Sequence, residues 1–135
     1  MSPRRIAAVL LAGLTAGLAA ACNNAPLPES ARAGRDEAAG RRIFQRKCAS
    51  CHAANGDGKT IVAGHFPYAN LIDGKWRSDG SAAAIELQIR DGRDPMPKFE
   101  GKLTDEEIRQ TVAYVQALTR AAESRGPESG AGAAP

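Results

Sequence analysis

Five consecutive residues, Cys48-Ala49-Ser50-Cys51-His52, are where this 135-residue chain most plainly carries chemistry. The pattern is C-x-x-C-H, the attachment pattern for a c-type haem. Each letter has a chemical reason. Two thiols add across the two vinyl groups on one side of a porphyrin, giving two thioether bonds. Two intervening residues in a helical turn set the thiols at the separation this requires. His52 follows directly and brings an imidazole under the ring, within reach of the iron. Two other chemistries use overlapping residues. A thiol–disulfide pair needs only the two cysteines, and expects a preceding strand and a thioredoxin-like βαβ unit. A closed zinc site needs four ligands. Beyond the motif the chain offers only Cys22, in a leader-like segment, and His65.

A haem iron bound by His52 asks for a sixth ligand. Met96 stands in Asp94-Pro95-Met96-Pro97 and is the only methionine besides Met1. Two prolines predict a stiff, extended strap without regular hydrogen bonding. A stiff strap presenting a lone thioether suits axial ligation, and Met/His pairs raise the potential of cytochromes c. The bland alternative is a core methionine. His65 is the rival ligand, only 13 residues after His52 in a glycine-rich loop. Trp76 is the only tryptophan. Its indole N–H needs an acceptor if buried, either a haem propionate or a backbone carbonyl.

Helices must position these groups. Asp36 reads as an N-cap, with Glu37 in the first turn, and Ala39, Ile43 and Phe44 share one face as far as about Lys47. Gly40 costs about 1 kcal/mol against Ala inside a helix, so close approach by another helix is expected there. From Ala53 to Gly80 the chain reads as loop. Asn55-Gly56-Asp57-Gly58 marks a turn, and Ile61, Val62, Phe66 and Leu71 are expected to wrap an apolar surface. Ser81 caps a short helix ending near Asp91 at Gly92. Thr104 and Glu107 form a capping box, with Leu103 and Ile108 as hydrophobic staple. Ile108, Val112, Val115 and Leu118 then make a buried stripe, joined by Tyr114, in a helix reaching about Arg120.

Composition bounds the rest. There are 18 basic and 15 acidic residues, and 4% aromatics. That balance gives no reason to expect nucleic acid as a partner. Few aromatics leave a small core that a haem would complete. Residues 1–21 read as an export signal: Arg4 and Arg5, an apolar run from Ile6 to Leu18, then Ala19-Ala20-Ala21. Cys22 follows, as in a bacterial lipobox, and predicts a lipid-modified terminus; simple cleavage is the alternative. Residues 22–35 then read as a flexible tether, 36–121 as the folded domain and 122–135 as a disordered tail.

Taken together, these features resemble a class I monohaem bacterial cytochrome c over roughly residues 36–120. The likeness is carried by Gly40 and Phe44 before the Cys-x-x-Cys-His motif, Asn70-Leu71, Asp73-Gly74-Lys75-Trp76, Ile89 to Arg93, Met96-Pro97, and Leu103 to Ile108 through Ala113-Tyr114-Val115. The middle stretch is most similar to cytochrome c domains of haem–copper oxidases and periplasmic dehydrogenases. The resemblance implies an all-α cytochrome c fold with first and last helices crossing at Gly40, Phe44 and Tyr114. It implies one haem c held through Cys48 and Cys51, with His52 and Met96 as axial ligands and Trp76 against the cofactor. The family often has Pro directly before Asn-Leu, its carbonyl holding the proximal His. Here Pro67 lies three residues before Asn70, and some other acceptor for the His52 ring is expected. The implied role is electron transfer between a redox donor and acceptor in the periplasm or at a membrane, not catalysis. A haem enzyme with an openable sixth site and a redox subunit of a larger oxidoreductase are the alternatives. Lys59, Lys75, Arg77, Lys98 and Lys102 offer a basic docking rim or simply a solvated face.

Overall fold

Two long helices, α1 (Glu29–Lys47) and α4 (Asp105–Arg125), cross at Gly40. A Cβ at Gly40 would lie 1.8 Å from the backbone oxygen of Gln110, so only glycine lets the two backbones approach this closely. One turn along, the rings of Phe44 and Tyr114 meet edge to face at 5.3 Å. The computed structural model describes residues 26–126. The export signal over 1–21, Cys22 and the residues from 127 onward lie outside the described residues. Two shorter helices complete the order, α2 (Ala49–His52) and α3 (Ala82–Asp91). Among the described residues no strand forms, only isolated bridges between Arg93 and Met96 and between Glu100 and Leu103. The fold is all-α.

The helix starts follow local chemistry. In α4 the Glu107 carboxylate accepts the Thr104 N–H at 2.9 Å, and the Thr104 hydroxyl accepts the Glu107 N–H at 3.2 Å. The Ser81 hydroxyl accepts the Ala84 N–H and starts α3. Leu103 and Ile108 are buried together with Ile43, Phe44, Ile85, Ile89, Val112, Tyr114 and Val115. This one core joins α1, α3 and α4.

Four expectations change. First, α1 begins at Glu29, so residues 29–35 are helix and not tether. Pro28 starts it through its backbone: its carbonyl accepts from Ala31 and Arg32. Good helix formers and Glu29 in the first turn do the rest. Asp36, expected as the cap, lies inside the helix and pairs with Arg109 of α4. Second, α4 continues to Arg125, carrying residues 122–125 out of the expected tail, and ends at Gly126. Third, Ile61 and Val62 are exposed and wrap nothing. Fourth, the Met96 strap is a tight turn. Arg93 and Met96 exchange both backbone hydrogen bonds, at 2.8 and 2.9 Å.

Candidate haem site

The Cys-x-x-Cys-His motif sits on one helical turn directly continuing α1. Cys48 closes α1 by donating its N–H to Phe44 O, and its own carbonyl accepts the N–H groups of Cys51 and His52. Cys48, Cys51 and His52 are all half-buried, and all three border one cleft. That cleft encloses about 1200 Å³ counted out to its open mouth. Its floor is apolar, with Phe44, Leu71, Ile85, Ile89 and Val115 among its walls. Met96 borders the same cleft. The spacing of the motif and the strap thus converge on one place from positions 44 residues apart in sequence.

The His52 ring has a defined tautomer. Its Nδ1 lies 2.8 Å from Ala69 O, and a carbonyl can only accept, so Nδ1 carries the proton and donates. The Nε2 lone pair is left for a metal. Burial lowers the His52 pKa and outweighs the opposing effect of the Ala69 bond, which favours the neutral imidazole that ligation requires. Gly58 makes the contact possible. With φ +68°, a Cβ there would fall 2.6 Å from Ala69 C and Asn70 N. The turn can therefore lie flat against the chain that carries the carbonyl.

The sulfur chemistry separates the competing readings. Burial pushes the Cys48 thiol up to about 11, with neighbouring Cys51 adding to it. A thiol–disulfide catalyst needs a depressed thiol pKa. Among the described residues no cluster of three or more His, Cys, Asp or Glu side chains could hold a zinc ion. The donor set around the cleft is imidazole, thioether and two thiols, which fits an attached haem.

The sequence comparisons agree. A family model described as cytochrome c oxidase, cbb3-type, subunit III, matches residues 35–115. The chain is 37% identical over 76 residues to cytochrome c6 of Euglena viridis, covering 56% of this chain and 85% of that protein. It is 35% identical over 82 residues to cytochrome c6 of Synechococcus elongatus, covering 59% and 87%. The chain belongs to the class I monohaem cytochromes c. This cytochrome carries one covalently bound haem c, with Cys48 and Cys51 as its attachment pair, and is an electron carrier.

Two positioning contacts in this cytochrome escaped the sequence reading. Ala69 stands directly before Asn70, the place the family often gives to proline, and supplies the same carbonyl. The departure is one of residue type, not of carbonyl position. Gln88 of α3 donates its amide N–H to the Met96 sulfur at 3.6 Å. Its position one turn before the helix end gave no signal without knowing where the strap turns. Trp76 borders the cleft and packs on the core, and its indole N–H finds no protein acceptor among the described residues. His65 is exposed and does not line the cleft.

Proposed function

We propose that this cytochrome is an exported one-electron carrier whose iron is held by His52 and Met96. Cys48 and Cys51 anchor the ring, and the Trp76 indole N–H donates to a propionate. When bound, the haem supplies a one-electron couple between Fe(II) and Fe(III). The chain does the rest. Ala69 O fixes the ring of His52, Gln88 steadies the Met96 thioether, and Phe44, Ile85, Ile89 and Val115 keep water from the cleft floor. The observation that carries the proposal is that His52, with Nε2 unencumbered, and Met96 border the same apolar cleft.

Absorption spectra of the oxidised and reduced protein, with and without carbon monoxide, test it. A low-spin c-type spectrum, a sulfur-to-iron charge-transfer band and no carbon monoxide shift are expected. Met96→Ala should then bind carbon monoxide and lose potential. A wild type that already binds carbon monoxide would remove Met96 from the iron and favour the enzyme alternative.

Export over residues 1–21, a lipid-modified Cys22 and a periplasmic, membrane-tethered setting complete the proposal, on sequence features alone. No helix among the described residues is long and apolar enough to cross a membrane. Mass spectrometry of the N-terminal peptide should find a diacylated Cys22; an unmodified Cys22 would make the carrier untethered. The oxidase-subunit description of the matched family favours a second reading, service as a redox subunit. Stable co-purification with an oxidoreductase would establish that role.

A further inference from the structure

Gly34 lies inside α1 without the reason that Gly40 has. A Cβ at Gly34 would meet nothing within 4 Å, so no close approach demands a glycine there. Its effect is to weaken the helix, about fivefold against alanine. The turns around it have little else to hold them. Residues 29–35 are all exposed. Pro28 offers no side-chain cap. Among the described residues no ion pair reaches Glu29, Arg32 or Arg35. Seven residues do not persist as a helix alone in water, and these stand only as a continuation of the packed part of α1.

The packed part begins one residue later. Arg109 of α4 donates to both carboxylate oxygens of Asp36 and also to Glu106. Ala39 is half-buried, and Gly40, Ile43 and Phe44 are buried. Asp36 is therefore a bolt. Beyond it α1 is fixed to α4, and Cys48 follows twelve residues on.

We propose that residues 29–35 are a length of tether stored as helix. They pass between helix and coil at Gly34 while the chain from Asp36 onward stays folded, so the anchored carrier changes its reach without disturbing the haem site. The proposal rests on the lipid-modified Cys22 of the proposed function. As helix the seven residues span roughly 10 Å; extended they span up to about 24 Å. Only six residues, 23–28, separate Cys22 from Glu29, and these extend to about 20 Å at most. Melting thus adds roughly 14 Å to a short leash. Fraying helix ends open at little free-energy cost, so the two states are populated together, and the glycine sets their ratio.

Hydrogen exchange of the reduced, haem-loaded full chain tests the joint by NMR. Amides of residues 33–36, which donate to the carbonyls of 29–32, should exchange on the order of a hundredfold or more faster than those of 43–47. Gly34→Ala has room for its methyl and should slow residues 33–36 about fivefold, leaving 43–47 and the absorption spectrum unchanged. Equal protection along α1, or no response to Gly34→Ala, overturns the proposal. The tether is tested on the lipidated proteins in phosphatidylcholine vesicles. Time-resolved energy transfer from a headgroup fluorophore to the haem gives the distribution of haem heights. Its far edge should retreat in Gly34→Ala and advance in Gly34→Pro, which breaks the helix. Identical distributions in all three proteins, with exchange differing as expected, overturn the tether role. A chain whose Cys22 is unmodified and which stays off the vesicles fails the anchor reading instead, and the tether falls with it while the exchange result still decides the joint.

Discussion

Gln88 and Ala69 act on the two proposed iron ligands by different means. Gln88 uses a side chain: its amide withdraws electron density from the Met96 sulfur, which disfavours the ferric state. Gln88→Leu should lower the potential by roughly 20–65 mV, taking a hydrogen bond as ~0.5–1.5 kcal/mol and one electron as ~59 mV per tenfold. Protein-film voltammetry reads this directly. An unchanged potential with an intact sulfur-to-iron band would show that the 3.6 Å contact carries no weight. Ala69 uses its backbone, so a substitution of its side chain should leave the His52 bond in place. Gly58→Ala should disturb it, because the new methyl meets the Ala69–Asn70 peptide. Loss of the slowly exchanging His52 Nδ1–H resonance in the NMR spectrum of the reduced variant is the expected sign.

At the scale of elements, the α1–α4 crossing is the joint on which the cleft depends. Gly40→Ala places a methyl 1.8 Å from Gln110 O, and the helices must separate. The variant gains helix propensity of about 1 kcal/mol, yet should lose on the order of 2–3 kcal/mol net through overpacking. A thermal melt of the haem-loaded protein checks the sign: a raised Tm would mean that the two helices part at no net cost. The start of α4 adds a pH dependence. Thr104 N–H and hydroxyl hold the Glu107 carboxyl below its usual value. That stability is present above the usual carboxylate range and is lost as pH falls through the depressed pKa. Glu107→Gln, which removes the titrating group, should flatten this acid limb when Tm is followed against pH.

The same elements explain what the sequence could and could not reveal. Thr104, Glu107 and Ser81 announce their helices because their side chains do the capping. The Gly40 crossing was legible because glycine inside an amphipathic helix has few other uses. The start of α1 was not legible. Pro28 caps with its backbone, and residues 29–35 lie exposed apart from any apolar periodicity. Gly126 ends α4 past residues too polar to continue the buried stripe. In the site, Cys48, Cys51, His52 and Met96 could be read by type, whereas Ala69 and Gln88 act through positions that only the path of the chain creates.

At the scale of the molecule, the core cluster among the described residues comprises nine buried residues, eight on three helices and Leu103 just before α4, and one side of it forms the wall of the cleft. A domain this small buries a limited fraction of its surface. Cys48→Ala with Cys51→Ala should leave a largely unfolded chain, seen as lost far-ultraviolet helical signal; a cooperative, native-like melt of that variant would refute this. The two sides of the cleft also differ in what a point mutation can reach. Orientation of the imidazole is inherited from the backbone, and apart from the glycine that lets the chain pass, no codon encodes it. On the side of the proposed thioether ligand, one glutamine codon supplies a side-chain contact to the sulfur. Lineages of this carrier, or engineers working on it, should therefore find its potential adjustable from the methionine side and nearly fixed from the histidine side.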